Sequence, residues 1–127
     1  MIFFLLKLHI SISISLTSDN YEEILAKNMN KSLLIEFWNT WCNHCSAFKP
    51  VWKQLSSNSS FDIIFADIDC VKNKAFCKKF PVDGYPQILF QDTTRNEFIQ
   101  YDGPMTIDGI ESFIYKQINF PKHTAVL

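Results

Sequence analysis

The sequence lacks a charge excess: 12 basic residues stand against 13 acidic ones, for a formal net charge of -1 and a pI near 6.3. That balance removes the electrostatic reason to expect a nucleic-acid partner. Lys72, Lys74, Lys78 and Lys79 do cluster, but Asp67 and Asp69 stand beside them. The cluster therefore reads as a solvated helix face and not as a phosphate site. Cysteine is scarce. Four of them in 127 residues are too few for a disulfide scaffold, and with 47% hydrophobic residues the chain can bury a core without one. Repeats and low-complexity linkers are missing, and the length accommodates one ordinary domain. The apolar start of the chain is too short to span a membrane as a helix.

That start has two readings. Met1 to Leu6 is apolar, Lys7 interrupts it, and Leu8-His9-Ile10 follows. A secretory leader wants a basic start, an unbroken apolar stretch and small residues at the cut, and this segment fits only in part. From Ile10, isoleucines and Leu16 alternate with Ser11, Ser13 and Ser15, the period of a half-buried strand. Both readings hold together only if a leader ends near His9. Residues 1–10 are thus a possible leader or its remnant, 11–120 the folded domain, and 121–127 a short tail.

Trp41-Cys42-Asn43-His44-Cys45 is the most informative stretch. Before it, Leu33 to Trp38 reads as a buried strand; after it, Cys45 to Leu55 reads as a helix. Two cysteines with two residues between them, where a strand gives way to a helix, make a dithiol–disulfide switch. The rival readings are a structural disulfide and half a zinc site. The zinc site needs two more ligands, and Cys70 and Cys77, six residues apart, make a poor second pair. Cys42 falls at the helix start, where free amides favour a thiolate, so it is the expected nucleophile. Cys45, one turn in, suits the resolving role.

The remaining elements alternate. Ser18 or Asp19 is expected to cap a helix ending near Asn28, and the helix after the cysteines to run from Asn43 to about Ser57, kinked at Pro50. Phe61–Ile68 reads as a strand and Val71–Phe80 as a short helix. Pro86–Phe90 and Glu97–Tyr101 read as strands joined by a polar turn. Thr106 is expected to cap a last helix carrying Ile110, Phe113, Ile114 and Ile118 on one face.

This order, with Glu36-Phe37, the Trp41–Cys45 stretch, Phe48, Pro50, Trp52, Asp67-Ile68-Asp69-Cys70, Phe80 through Pro86 and Tyr101-Asp102-Gly103, resembles the catalytic domain of protein disulfide isomerases. The resemblance covers about Leu16 to Ile118. It implies an α/β thioredoxin fold, a central mixed sheet with helices on both faces. It also implies a thiol–disulfide oxidoreductase that forms, reduces or rearranges disulfides in client proteins, with no cofactor beyond its own cysteines and no metal. Unfolded or disulfide-containing clients are the implied partners, without nucleic acid or membrane. A monomer in the endoplasmic reticulum lumen or secretory pathway is implied as well, although Thr124-Ala125-Val126-Leu127 is not a retrieval signal of the Lys-Asp-Glu-Leu type.

The resemblance also assigns roles. His44, between the two sulfurs, stabilises the thiolate and marks oxidase or isomerase domains. Glu36, an acid in an apolar strand, has its pKa raised and accepts the proton of Cys45 through water. Tyr85-Pro86 is expected to be a cis peptide beside which an extended client pairs, and Trp41, Tyr85 and Phe48 to form an apolar rim around it. Trp38 and Trp52 read as core. Cys70 and Cys77 form a structural disulfide if the compartment is oxidising, and are buried thiols if it is reducing. Two positions depart from the family: Asp67 stands where a lysine often pairs the buried acid, and Met105 where an arginine assists turnover. Both departures leave open a redox-slow, chaperone-like client-binding module. A cytosolic thioredoxin-like reductase is the third reading.

Overall fold

The computed structural model describes residues 12–120. Strand β2, Leu33–Trp38, lies at the centre of a five-stranded sheet of order β1-β3-β2-β4-β5. Its near-continuous apolar run is what a strand covered on both faces requires. It pairs in parallel with β3, Ile64–Asp69, which pairs in parallel with β1, Ile14–Ser15. On the other side it runs antiparallel to β4, Gln87–Asp92, which carries the antiparallel edge strand β5, Glu97–Gln100.

The two-residue period of β2 divides the core. Leu33, Ile35 and Phe37 pack with Phe76, Cys77 and Phe80, against α1 (Tyr21–Lys27) and α3 (Lys74–Cys77). Leu34 packs on the opposite face with Phe48, Trp52, Ile110 and Ile114 of α2 (Asn43–Asn58) and α4 (Ile107–Asn119). The result is a thioredoxin fold, with a mixed sheet between two helical layers. By the same alternation Glu36 is directed to the α2 layer.

Several boundaries differ from the sequence expectation, each for a local reason. The strand expected over Ile10–Leu16 is Ile14–Ser15 among the described residues; Ile10 and Ser11 lie outside them, and Ile12 is exposed. Helix α1 begins after Asn20, not after Ser18 or Asp19. Asn20 instead ties down the preceding turn, accepting from the Thr17 amide at 2.8 Å and donating to the Ser15 carbonyl at 2.9 Å. β3 starts late because the Phe61 amide is taken by the Ser59 hydroxyl. The expected Val71–Phe80 helix shrinks to Lys74–Cys77, since the Asp69 carboxylate accepts the Val71 and Lys72 amides and forms a turn there. Helix α2, with Pro50 inside it, runs as expected. Thr106 does cap α4, accepting the Gly109 amide at 3.1 Å. On that helix Ile110 and Ile114 are buried, while Ile118 is exposed in the last turn and is not part of the core face.

Candidate active site

The first turn of α2 holds the cysteine pair. Cys42 is its N-cap residue, in an extended backbone conformation, and its sulfur accepts the Cys45 amide at 3.0 Å. A sulfur there sits where amides lack intrahelical partners, so negative charge on it is favoured. Cys42 and Cys45 are joined as a disulfide with Cα atoms 5.2 Å apart. The two differ in access: Cys42 is half-buried, whereas Cys45 is buried beneath the helix start. A reagent from solvent meets Cys42 first.

Behind Cys45 lies a cavity of about 280 Å³, whose walls include Glu36, Asp67, Lys49 and Trp52. Glu36 is only 5% exposed, and its carboxyl is pushed up to about 8. Burial is the main cause, the neighbouring Asp67 raises it further, and Lys49 opposes both. At neutral pH Glu36 therefore holds a proton, within a cavity that also reaches Cys45.

A second, apolar groove runs along the other side of the pair, lined by His44, Phe48, Val51, Tyr85, Pro86 and Met105. The Tyr85–Pro86 peptide is cis. His44 is exposed and borders this groove, not the Glu36 cavity. Trp41 is 85% exposed and lines neither. Phe48 departs from expectation: it is buried at 4% exposure, part of the core beneath the groove and not of an open rim. Trp52 is core, and Trp38 is half-buried with its indole donating to Asp67. Cys70 and Cys77 form a second disulfide on the opposite face of the sheet, packed with Phe76 and Phe80.

Lys49 and Ser13 were not legible as site residues. Lys49 had one signal, its place four residues after Cys45, which puts both on one helix face. Ser13 had none, because it meets Asp67 across the sheet through a contact 54 residues long in sequence.

A cysteine pair at disulfide distance at a helix start, backed by a buried acid, leads to a comparison with known families. The thioredoxin family model matches residues 12–116. The chain belongs to the thioredoxin family. Among curated relatives, a protein disulfide isomerase-like 2-3 of Oryza sativa subsp. japonica is 32% identical over 85% of this chain and 24% of its own length. The protein disulfide-isomerase-like protein EhSep2 of Emiliania huxleyi is 33% identical over 84% of this chain and 48% of its own. This thioredoxin-family chain thus spans about a quarter of the first of those relatives and about half of the second. The first thioredoxin domain of mouse protein disulfide-isomerase A4 superposes with a TM-score of 0.73 at 25% identity, covering 89% of this chain and 81% of that one. A J-Trx1 fragment of ERdj5 shares the fold, with a TM-score of 0.72 at 18% identity over 83% of this chain and 51% of that one. Thioredoxin-family membership, these relatives and the paired cysteines support thiol–disulfide oxidoreductase chemistry. Among the described residues, no helix is long and apolar enough to cross a membrane.

Proposed function

We propose that this domain is a thiol–disulfide oxidoreductase of the protein disulfide isomerase type, acting on disulfides of client proteins in the endoplasmic reticulum or secretory pathway. The observation that carries the proposal is the asymmetry of the pair: a half-buried sulfur held at a helix N-terminus, and a buried one facing an acid. Cys42 attacks a client sulfur as thiolate and forms a mixed disulfide. Cys45 then attacks Cys42, closing their bond and releasing the client as a thiol. Run backwards, the oxidised pair delivers a disulfide to the client.

Glu36 serves as the proton store for Cys45. His44 stabilises the Cys42 thiolate, which makes the disulfide a better oxidant. The groove along Tyr85 and Pro86 receives the client segment, with the indole of Trp41 as an exposed apolar contact. Clients are unfolded or disulfide-bearing chains, and the domain works as a monomer, without cofactor, metal or nucleic acid. The buried Cys70–Cys77 disulfide and the disulfide-isomerase relatives support an oxidising compartment.

A reduction potential measured against glutathione tests the reading. A value near about -180 mV supports isomerase-type work; one near about -270 mV assigns the domain to thioredoxin-like reduction instead. Finding no exchange with glutathione at all would leave only a client-binding module.

A further inference from the structure

Glu36 shares its cavity with a second acid. Asp67 is its direct neighbour across the parallel pairing of β2 and β3, and lines the same space. Both Asp67 carboxylate oxygens are held. Ser13 Oγ donates to one at 2.6 Å and Trp38 Nε1 to the other at 3.1 Å. The Ser13 hydroxyl oxygen in turn accepts from Trp52 Nε1 at 3.0 Å, which fixes its own hydrogen toward Asp67. Donors on both oxygens hold the Asp67 carboxylate in place beside the deeper Glu36, whose own burial disfavours its charged form. Helix α2 brings Lys49, an ammonium in the same wall, and the Cys45 sulfur. From the β4 side Glu36 meets Ile88, which has no charge.

We propose that Asp67, clamped by Ser13 and Trp38, is a positioning residue for disulfide exchange: its fixed negative charge and the opposing charge of Lys49 together set the pH at which Glu36 can take the proton of Cys45. The inference rests on the oxidoreductase reading above. In the resolving step the Cys45 S–H bond breaks and its proton passes to the ionised Glu36 carboxylate. The sulfur's electron pair forms the Cys45–Cys42 bond, the Cys42–client bond breaks, and the client sulfur leaves as a thiolate that takes a proton from solvent. Cys42 and Cys45 are oxidised together and the client is reduced. Every proton transferred depends on Glu36 being ionised, and the two flanking charges govern that in opposite directions.

The test is a carboxyl titration of Glu36 by NMR in reduced, carbon-13-labelled protein, alongside the pH profile of mixed-disulfide resolution with a fluorescent peptide thiol. Asp67→Asn is expected to lower the Glu36 midpoint by about one pH unit and to carry the resolution profile with it. Lys49→Gln, at an exposed position chosen so that folding is retained, is expected to raise the midpoint. Opposite movements are not the mark of a merely structural role. A midpoint that stays put in Asp67→Asn overturns the proposal. If Asp67→Asn does not fold, an unmoved or lowered midpoint in Lys49→Gln overturns it. Loss of all exchange in the unaltered protein would sink the oxidoreductase reading instead, and the carboxyl titration would still decide whether the charges are coupled.

Discussion

The two disulfides close loops of similar size in opposite surroundings. Cys42–Cys45 is separated by 3 positions and Cys70–Cys77 by 7. Chain entropy alone favours the longer loop only slightly, about 2.5 against about 2 kcal/mol. Access and charge separate them far more. Cys70 and Cys77 are both buried among Phe76, Phe80 and the apolar side of β2 and β3. Tyr21 and Phe80 stack edge-on with Phe76 in the same layer, so the surroundings of these sulfurs are largely aromatic and apolar. Cys42 instead meets solvent at a helix start, and Cys45 backs onto a cavity with two acids and a lysine. A disulfide becomes reactive through what surrounds it: an approach for the attacking thiol, and a place for the proton.

The sharpest way to break this comparison is to remove each sulfur in turn. Cys42→Ser is expected to abolish exchange with glutathione, and Cys45→Ser to accumulate mixed disulfides visible on non-reducing gels. Alkylation of the reduced protein at mildly acidic pH should label Cys42 first. Preferential labelling of Cys45 would reverse the two roles.

Glu36 gives the next largest effect, and its sign follows from linkage. Its carboxyl titrates near 4.5 in the unfolded chain and at about 8 in the fold. Between those values the folded protein keeps a proton that the unfolded chain has lost. Stability is therefore highest below the lower value, falls as pH rises through the interval, and levels off above the upper one. The whole span amounts to roughly 5 kcal/mol. In Glu36→Ala this pH-dependent loss should vanish, leaving a fold more stable than the unaltered one at pH 8, net of whatever the vacated space costs. Resolution of mixed disulfides should slow in the same variant. Denaturant melts at pH 5 and pH 8 supply the check; equal slopes against pH in both proteins would remove Glu36 from the buried-acid role.

For the second disulfide the expected change is smaller and confined to stability. Cys70→Ala combined with Cys77→Ala should cost about 2.5 kcal/mol in a denaturant melt while leaving the exchange rate within twofold. A collapse of exchange in that variant, with the fold intact, would erase the distinction between the two regions.

What the sequence revealed divides along the same line. The cysteine pair, the apolar run of β2 and the Thr106 cap are local patterns, and local patterns survive in one dimension. Leu33 to Trp38 reads as a buried strand because nothing polar but Glu36 interrupts it. The third helix was overdrawn because periodicity sees apolar spacing and not the Asp69 carboxylate that captures the Val71 and Lys72 amides. Nearness to the motif points Phe48 toward the rim, although its place on the buried side of α2 puts it in the core. The charged wall behind Cys45 was least legible. Asp67, Ser13 and Lys49 come from three separated segments, and only the register of three parallel strands brings the first two together.

His44 carries the smallest expected effect, and the Cys70–Cys77 disulfide serves as its internal reference. The imidazole stands at the second position of α2, exposed and beside the groove edge. An imidazole beside the Cys42 sulfur stabilises the thiolate of the reduced pair, and so favours reduction. Replacement by Pro suits the backbone, because the first turn of a helix has amides to spare and Pro removes one of them. His44→Pro should then shift the redox equilibrium of Cys42–Cys45 toward the disulfide by about tenfold, equivalent to about 30 mV more negative. The Cys70–Cys77 pair lies on the other face of the sheet and should keep its resistance to glutathione unchanged. Quantifying both pairs by mass spectrometry in one glutathione series separates the cases. A shift in both would mean that the substitution loosened the fold, and a shift in neither would make His44 a bystander at the groove's edge.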